Sequence, residues 1–210
     1  IIDEKVEEIF DDSVDDDREK ERAKSRWAQI EAVVGAEPRI KQITEDLIEH
    51  FDTRTQTQPG KAMIVCMSRE ICVKFYEALR KLKPELHDKD LSKGKMKIVM
   101  SASASDVKEF QPHHTNRLQK KDLENRFKDP SDPLKIVIVR DMWLTGFDAP
   151  CLSTMYVDKP MQGANLAQAI ARVNRVFGDK PGGLIVDYIG IAPQLKEALA
   201  TYANSNGRGQ

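Results

Sequence analysis

Beyond Gly60 the sequence is punctuated by short, almost wholly apolar runs: AMIVCM (62–67), KIVMS (97–101), KIVIV (135–139), TMYVD (154–158) and GLIVDY (183–188). A half-buried strand alternates apolar and polar residues. An unbroken run of this length is what a strand covered on both faces requires. Between the runs, apolar residues recur at the three-or-four spacing of a helix. Ile71, Phe75, Leu79 and Leu82 form one such series, Leu118 to Phe127 lie in another, and further helices are predicted around 166–177 and 194–202. Strands that alternate with helices pair in parallel, because a parallel neighbour needs a crossover and a helix is its compact form. The pattern predicts an α/β fold: a mostly parallel sheet of five to six strands with helices on both faces.

Ahead of this unit the texture differs. Residues 1–22 carry eleven acidic and four basic side chains, so 1–25 read as an acidic linker or solvated helix. Trp27, Ile30, Val33 and Val34 then share a helical face, Gly35 ends it, and Pro38 opens a second helix through Ile40, Ile43, Leu47 and Phe51. TRTQTQPG is a polar connector. The predicted division is a helical segment at 26–58 packing on an α/β lobe at 59–203, with a tail at 204–210. The chain opens on Ile-Ile rather than Met, as a piece of something longer would.

The remaining composition narrows the function classes. No apolar run approaches the ~18 residues of a membrane span, and no signal peptide opens the chain. Cys66, Cys72 and Cys151 lack paired zinc spacing and read as reduced thiols of a cytoplasmic protein, and no metal site is predicted. His113-His114 reads as a polar loop. Outside the leader the body is mildly basic, which permits a phosphate-rich partner without requiring one.

The helix QAIARVNRVF (168–177) raises a sharper point. At roughly 100° per residue, Leu166, Ile170, Val173 and Phe177 share one face, and Gln168, Arg172 and Arg175 share the opposite one. No acidic residue lies between Met161 and Gly178 to pair with these arginines. A guanidinium fork suits phosphate oxygens; two solvated surface arginines are the plain alternative. Upstream, VRDMWLTGFDAP (139–150) runs from a buried strand into a loop with Thr145, Gly146 and Asp148. Ligands in open α/β sheets gather beyond the carboxyl ends of strands. Asp148 there could accept from a ribose hydroxyl or orient water, or simply cap the loop. Together, the loop and the arginine helix suggest a nucleotide cleft.

These strings also carry a resemblance. Gln168-x-x-x-Arg172-x-x-Arg175 resembles motif VI of superfamily 2 helicases and translocases, LTGFDAP resembles motif V, and KAMIVCMSR (61–69) resembles motif IV. With SASASD (101–106), RFKDPSDPLKIVIVRDMWLTGFDAPCLSTMYVDKPM and DKPGGLIVDYIGIA, the wording is similar to the motor (R, or HsdR) subunit of type I restriction endonucleases, over about Arg26 to Tyr202.

The resemblance implies the second of two RecA-like lobes. ATP and Mg²⁺ would be held largely by the first lobe, whose phosphate-binding loop is not present here: Gly60-Lys61 is followed by Ala62, so G-x-x-x-x-G-K-[ST] fails. It implies Arg175 as the arginine finger. Arg172 and Gln168 would touch phosphate or couple the lobes, and Gly146 and Asp148 would line the cleft. It implies duplex DNA as partner, met by Ser68, Arg69, Ser101, Ser103, Arg140 and Thr145. It also implies a first lobe and nuclease domain in the same subunit, with specificity and methyltransferase subunits beside it. The fragment alone would not hydrolyse ATP. The alternatives are another superfamily 2 motor, such as a type III restriction motor, and a non-enzymatic adaptor. An Arg175 turned into its own domain and salt-bridged there would favour the adaptor.

Overall fold

The computed structural model describes residues 17–178 and 182–191. The acidic segment 1–16, the helix expected at 194–202 and the tail lie outside the described residues. The described part of the leader is helical: helix α1 is Asp17–Val34. Helix α2 is Glu37–Thr57, with Pro38 in its first turn, where a missing backbone N–H costs nothing. It buries Ile40, Ile43, Leu47 and Phe51 as the spacing predicts, but it also absorbs Thr53–Thr57, expected to be connector.

The strands are β1 Lys61–Cys66, β2 Met96–Val99, β3 Ile136–Val139, β4 Leu152–Asp158 and β5 Leu184–Asp187. They form one sheet in the order β2-β3-β1-β4-β5, and every pairing is parallel. The strand runs were continuous because β1 through β4 are buried along their whole length. Helices α3 (Arg69–Leu82), α4 (Arg117–Lys128) and α5 (Gly163–Val173) supply the crossovers. The chain leaves β1 through α3 toward the β2 edge. It leaves β3 and β4 toward the β5 edge. Right-handed crossovers running in opposite directions place their helices on opposite faces.

Alternate residues of β4 show how one face is used. Thr154 accepts from Arg54 Nε at 3.1 Å, Tyr156 Oη meets His50 Nδ1 at 2.8 Å, and Asp158 binds Arg39 through both oxygens at 2.6 and 3.0 Å. All three partners come from α2, so this helix is packed into the same core as the sheet. Met63, Met67, Met96, Met100 and Met155 are core residues, as are all three cysteines. Two lysines are buried within strands. Lys61 donates to Arg126 O at 2.8 Å, and Lys97 donates to Asp88 O and Asp90 O at 2.7 Å each. No described helix is long and apolar enough to cross a membrane.

Candidate functional site

Helix α5 turns Leu166, Ala169, Ile170 and Val173 onto the sheet. The predicted face extended to Phe177, and here the structure differs: the helix stops at Val173, and Phe177 is exposed. The chain returning to β5 passes so close that a Cβ on Gly183 would lie 2.1 Å from Val173 O. Arg175 therefore sits beyond the helix, and its direction is set by the turn rather than by helical arithmetic. Gln168 is exposed on the outer face, and Arg172 is half-buried.

Both arginines meet the segment 140–151, which joins β3 to β4 without a helix. Arg172 Nε lies 3.4 Å from Leu144 O, and Arg175 Nη1 lies 3.0 Å from Asp148 Oδ2. The expectation of an Arg175 without a carboxylate is thus corrected: its partner is 27 residues away in sequence. The pair sits in water, with the two side chains 47% and 49% exposed. It satisfies the salt-bridge part of the adaptor criterion and not the part that turns Arg175 inward. The loop itself is braced by aromatics. Trp143 stacks on Phe147 at 4.4 Å between centroids, their planes nearly parallel, and Phe147 packs toward Phe127 of α4. Trp143 holds φ at +69°, a region a bulky side chain rarely adopts, so packing on Phe147 must offset local strain. Gly146 (φ +67°) and Thr145 are exposed at the loop's tip.

The location of this cluster also corrects an expectation. The loop starts at the carboxyl end of β3, where Lys159 Nζ reaches Asp141, but ends at Cys151, whose carbonyl accepts from Lys61 N at the start of β1. Helix α5 runs the same way, from beyond β4 back to the start of β5. The Arg175–Asp148 pair therefore lies toward the amino ends of the strands. Beside it is a cavity of about 520 Å³ lined in part by Gly60, Lys61, Lys135, Cys151 and Phe177. Burial pulls the Lys61 ammonium down to about 8. Cys151 directs its thiol to Phe127 O at 3.2 Å.

The carboxyl ends hold the other predicted residues. β2, β3 and β1 are neighbours, so Ser101, Arg140 and Ser68–Arg69, which follow them, are side by side. Ser101, Ser103 and Arg140 are exposed, and Arg140 Nε is 3.3 Å from Asp141. Ser68 caps α3 by accepting from Ile71 N at 3.3 Å. Arg69 was expected to face a ligand, but its fork is engaged internally: both terminal nitrogens donate to Asp106 at 2.7 Å, and Nη1 also donates to Ser101 O at 2.9 Å. Asp106 further accepts from Ser103 N at 2.8 Å and meets His114 Nε2 at 2.9 Å. The Arg69 hydrogen bonds, aided by Ser103 N, hold its carboxyl down at about 2. His113 packs edge-on against Tyr76, and burial lowers it to about 4. Asp106 was not singled out from sequence; 37 residues separate it from Arg69, and no local spacing links them.

A five-stranded parallel sheet, with an arginine-bearing helix laid along a helix-free β3–β4 loop, defines a RecA-like α/β lobe. A solved fragment assigned to an HsdR subunit of a type I restriction enzyme from Vibrio vulnificus YJ016 shares the fold, with a TM-score of 0.59 at 20% identity over 79% of this chain and 29% of that one. Residues 107–190 match the family described as Type I restriction enzyme subunit R domain 3. The Type I restriction enzyme HindI endonuclease subunit of Haemophilus influenzae is 54% identical over 183 residues, 86% of this chain and 17% of that protein. A Methanocaldococcus jannaschii protein assigned as the MjaIXP type I restriction enzyme endonuclease subunit is 46% identical over 204 residues, 97% of this chain and 19% of the relative. The chain belongs to the R (HsdR) subunit family of type I restriction enzymes, and it spans under a fifth of the length of these two relatives.

Proposed function

We propose that this chain acts as the second lobe of an ATP-driven double-stranded DNA motor within a type I restriction endonuclease R subunit. The observation that carries the reading is the exposed Arg175–Asp148 pair beside Arg172 at the end of α5. A solvent-exposed ion pair is worth only about 0–1 kcal/mol, so Arg175 can exchange its carboxylate for a phosphate oxygen at little cost. The donor set suits a polyphosphate: two guanidiniums, the Gln168 amide and the open backbone at Gly146. A bound nucleoside triphosphate with its Mg²⁺ supplies the transferring phosphoryl group, held by a first lobe elsewhere in the subunit. Arg175 would then stabilise charge developing on that group, and Arg172, tied to Leu144 O, would hold the 140–151 loop against α5. Asp148 keeps Arg175 positioned until phosphate replaces it.

On this reading the carboxyl ends of β1, β2 and β3 track duplex phosphates without reading sequence, as a translocase must. The nuclease domain, specificity and methyltransferase subunits act alongside it, and the chain alone does not hydrolyse ATP. The test is Arg175→Ala in the full-length subunit, assembled with its partner subunits on DNA carrying a recognition site. Turnover should fall at least about a hundredfold, in line with the loss of an arginine finger, while duplex binding persists. Near-normal turnover would remove Arg175 from the cleft and restore the adaptor reading.

A further inference from the structure

The Asp106 cluster poses a question of sign. If the carboxyl-end surface meets phosphates through net positive charge, a carboxylate in its midst is a defect. Yet Asp106 is the hub there: its side chain is only 4% exposed, and it gathers Arg69, Ser103 N and His114. Arg69 spends three of its five N–H donors on Asp106 and Ser101 O, and its guanidinium lies over the Phe110 ring at 5.2 Å. The arginine is thus largely neutralised and fixed in place.

Around that hub the loop following β2 is shaped by contacts, not by a core. Asp106 N donates to Ser103 O at 3.2 Å, and Ser103 Oγ meets Ser105 Oγ at 3.0 Å. Ser101, Ser103 and Ser105 are all exposed. Nothing apolar anchors residues 101–105. Their conformation depends on Asp106 tying Ser103 N and, through Arg69, Ser101 O to the first turn of α3.

We infer that Asp106 is a positioning residue for the nucleic-acid surface, holding Arg69 and the 101–105 loop so that neutral donors, the exposed serine hydroxyls, meet duplex phosphates at fixed places. The inference rests on the motor-lobe reading above. It separates from a purely electrostatic role by direction. Removing a negative charge from a phosphate-facing surface should tighten binding and steepen its salt dependence by about one counterion. Removing a positioning group should weaken binding despite the added positive charge.

The experiment uses the full-length R subunit, wild type and Asp106→Asn, with a short duplex lacking any recognition site. Affinity is measured by fluorescence anisotropy across a salt series, and duplex-stimulated ATP turnover is measured in the assembled complex. Asp106→Asn should weaken the duplex affinity about tenfold, the scale of one or two lost phosphate hydrogen bonds. It should raise the duplex concentration for half-maximal turnover similarly and leave kcat at saturating duplex within about twofold. Ser103→Ala with Ser105→Ala, which leaves the Arg69–Asp106 pair intact, should reproduce part of the loss. Unchanged or tighter binding by Asp106→Asn overturns the inference. So does a fall in kcat matched by a fall in melting temperature, since that marks a folding role only. A wild-type subunit that neither binds duplex nor shows duplex-stimulated turnover sinks the motor-lobe reading, and this inference with it.

Discussion

Replacing Arg39 with Met leaves the Asp158 carboxylate buried without its cation. Asp158 is 1% exposed, and Arg39 reaches it with two bonds at 2.6 and 3.0 Å. The same guanidinium donates to Val34 O and Tyr188 O at 3.0 and 2.9 Å, so one side chain joins the end of α1, the end of β4 and the residue after β5. Methionine preserves much of the aliphatic stem and deletes only the fork. Breaking a buried pair on one side costs about 3–5 kcal/mol. For a chain of this size that corresponds to a fall in Tm of roughly 10 °C. The pH dependence has a definite sign. Burial already pushes the Asp158 carboxyl above its ordinary value, and the Arg39 hydrogen bonds pull it partly back. Without Arg39 it climbs further. A carboxyl with a folded pKa above its unfolded one costs stability at high pH, and the cost disappears as pH falls toward the unfolded value. The Arg39→Met deficit should therefore be largest near neutrality and shrink as pH falls toward the unfolded carboxyl value of about 3.9. Urea unfolding of both chains at several pH values reads this directly, and Asp158→Asn combined with Arg39→Met should recover part of the loss. A deficit below about 1 kcal/mol, or one that is flat with pH, refutes the reasoning.

Two further outcomes follow from the packing. Gly183→Ala would place a Cβ 2.1 Å from Val173 O and 2.5 Å from its carbonyl carbon, and backbone cannot swing aside as a side chain can. The chain should lose about 2–4 kcal/mol in urea unfolding, and a loss under about 0.5 kcal/mol, the scale of a surface substitution, would show that α5 and β5 can separate there. Lys61 has its pKa lowered by burial from 10.5 to about 8, so between these values the unfolded chain binds a proton that the folded chain does not. Stability should rise with pH above about 8, by at most about 1.4 kcal/mol per unit, until tyrosines begin to ionise near pH 10. Lys61→Met should flatten that slope in denaturant titrations, and equal slopes in the two chains would clear Lys61 of the effect.

How much was legible in the sequence varies by element. The strand runs at 62–67, 97–101, 135–139, 154–158 and 183–188 each contain or overlap an observed strand, because a strand covered on both faces must be apolar at consecutive positions. Trp143 at φ +69° left no trace in the sequence, and neither did the length of α2 through Thr53–Thr57, where Thr55 and Thr57 bond back onto their own helix. Thr55 Oγ1 donates to Phe51 O, so its hydroxyl finds a partner inside the helix rather than drawing the backbone out of it. Ser68, Ser101 and Arg140 sit together because β1, β2 and β3, the strands they follow, are neighbours in the sheet. The carboxyl-end rule for ligand sites misplaced Arg175 and Asp148, because the 140–151 segment and α5 both run back along the sheet.

The amino-acid order alone determined the parallel α/β lobe and a helix that carries Arg172, with Arg175 just past its end and no acid close by in sequence. Both follow from periodicity, which depends only on residues within a turn or two of each other. Tertiary structure decided where those side chains end up. Arg175 meets Asp148 from 27 residues away, Arg69 meets Asp106 from 37, and Arg39 meets Asp158 from 119. A long cationic side chain settles on whatever carboxylate the fold brings within a few ångströms, and that distance is fixed by strand order and loop path rather than by separation along the chain.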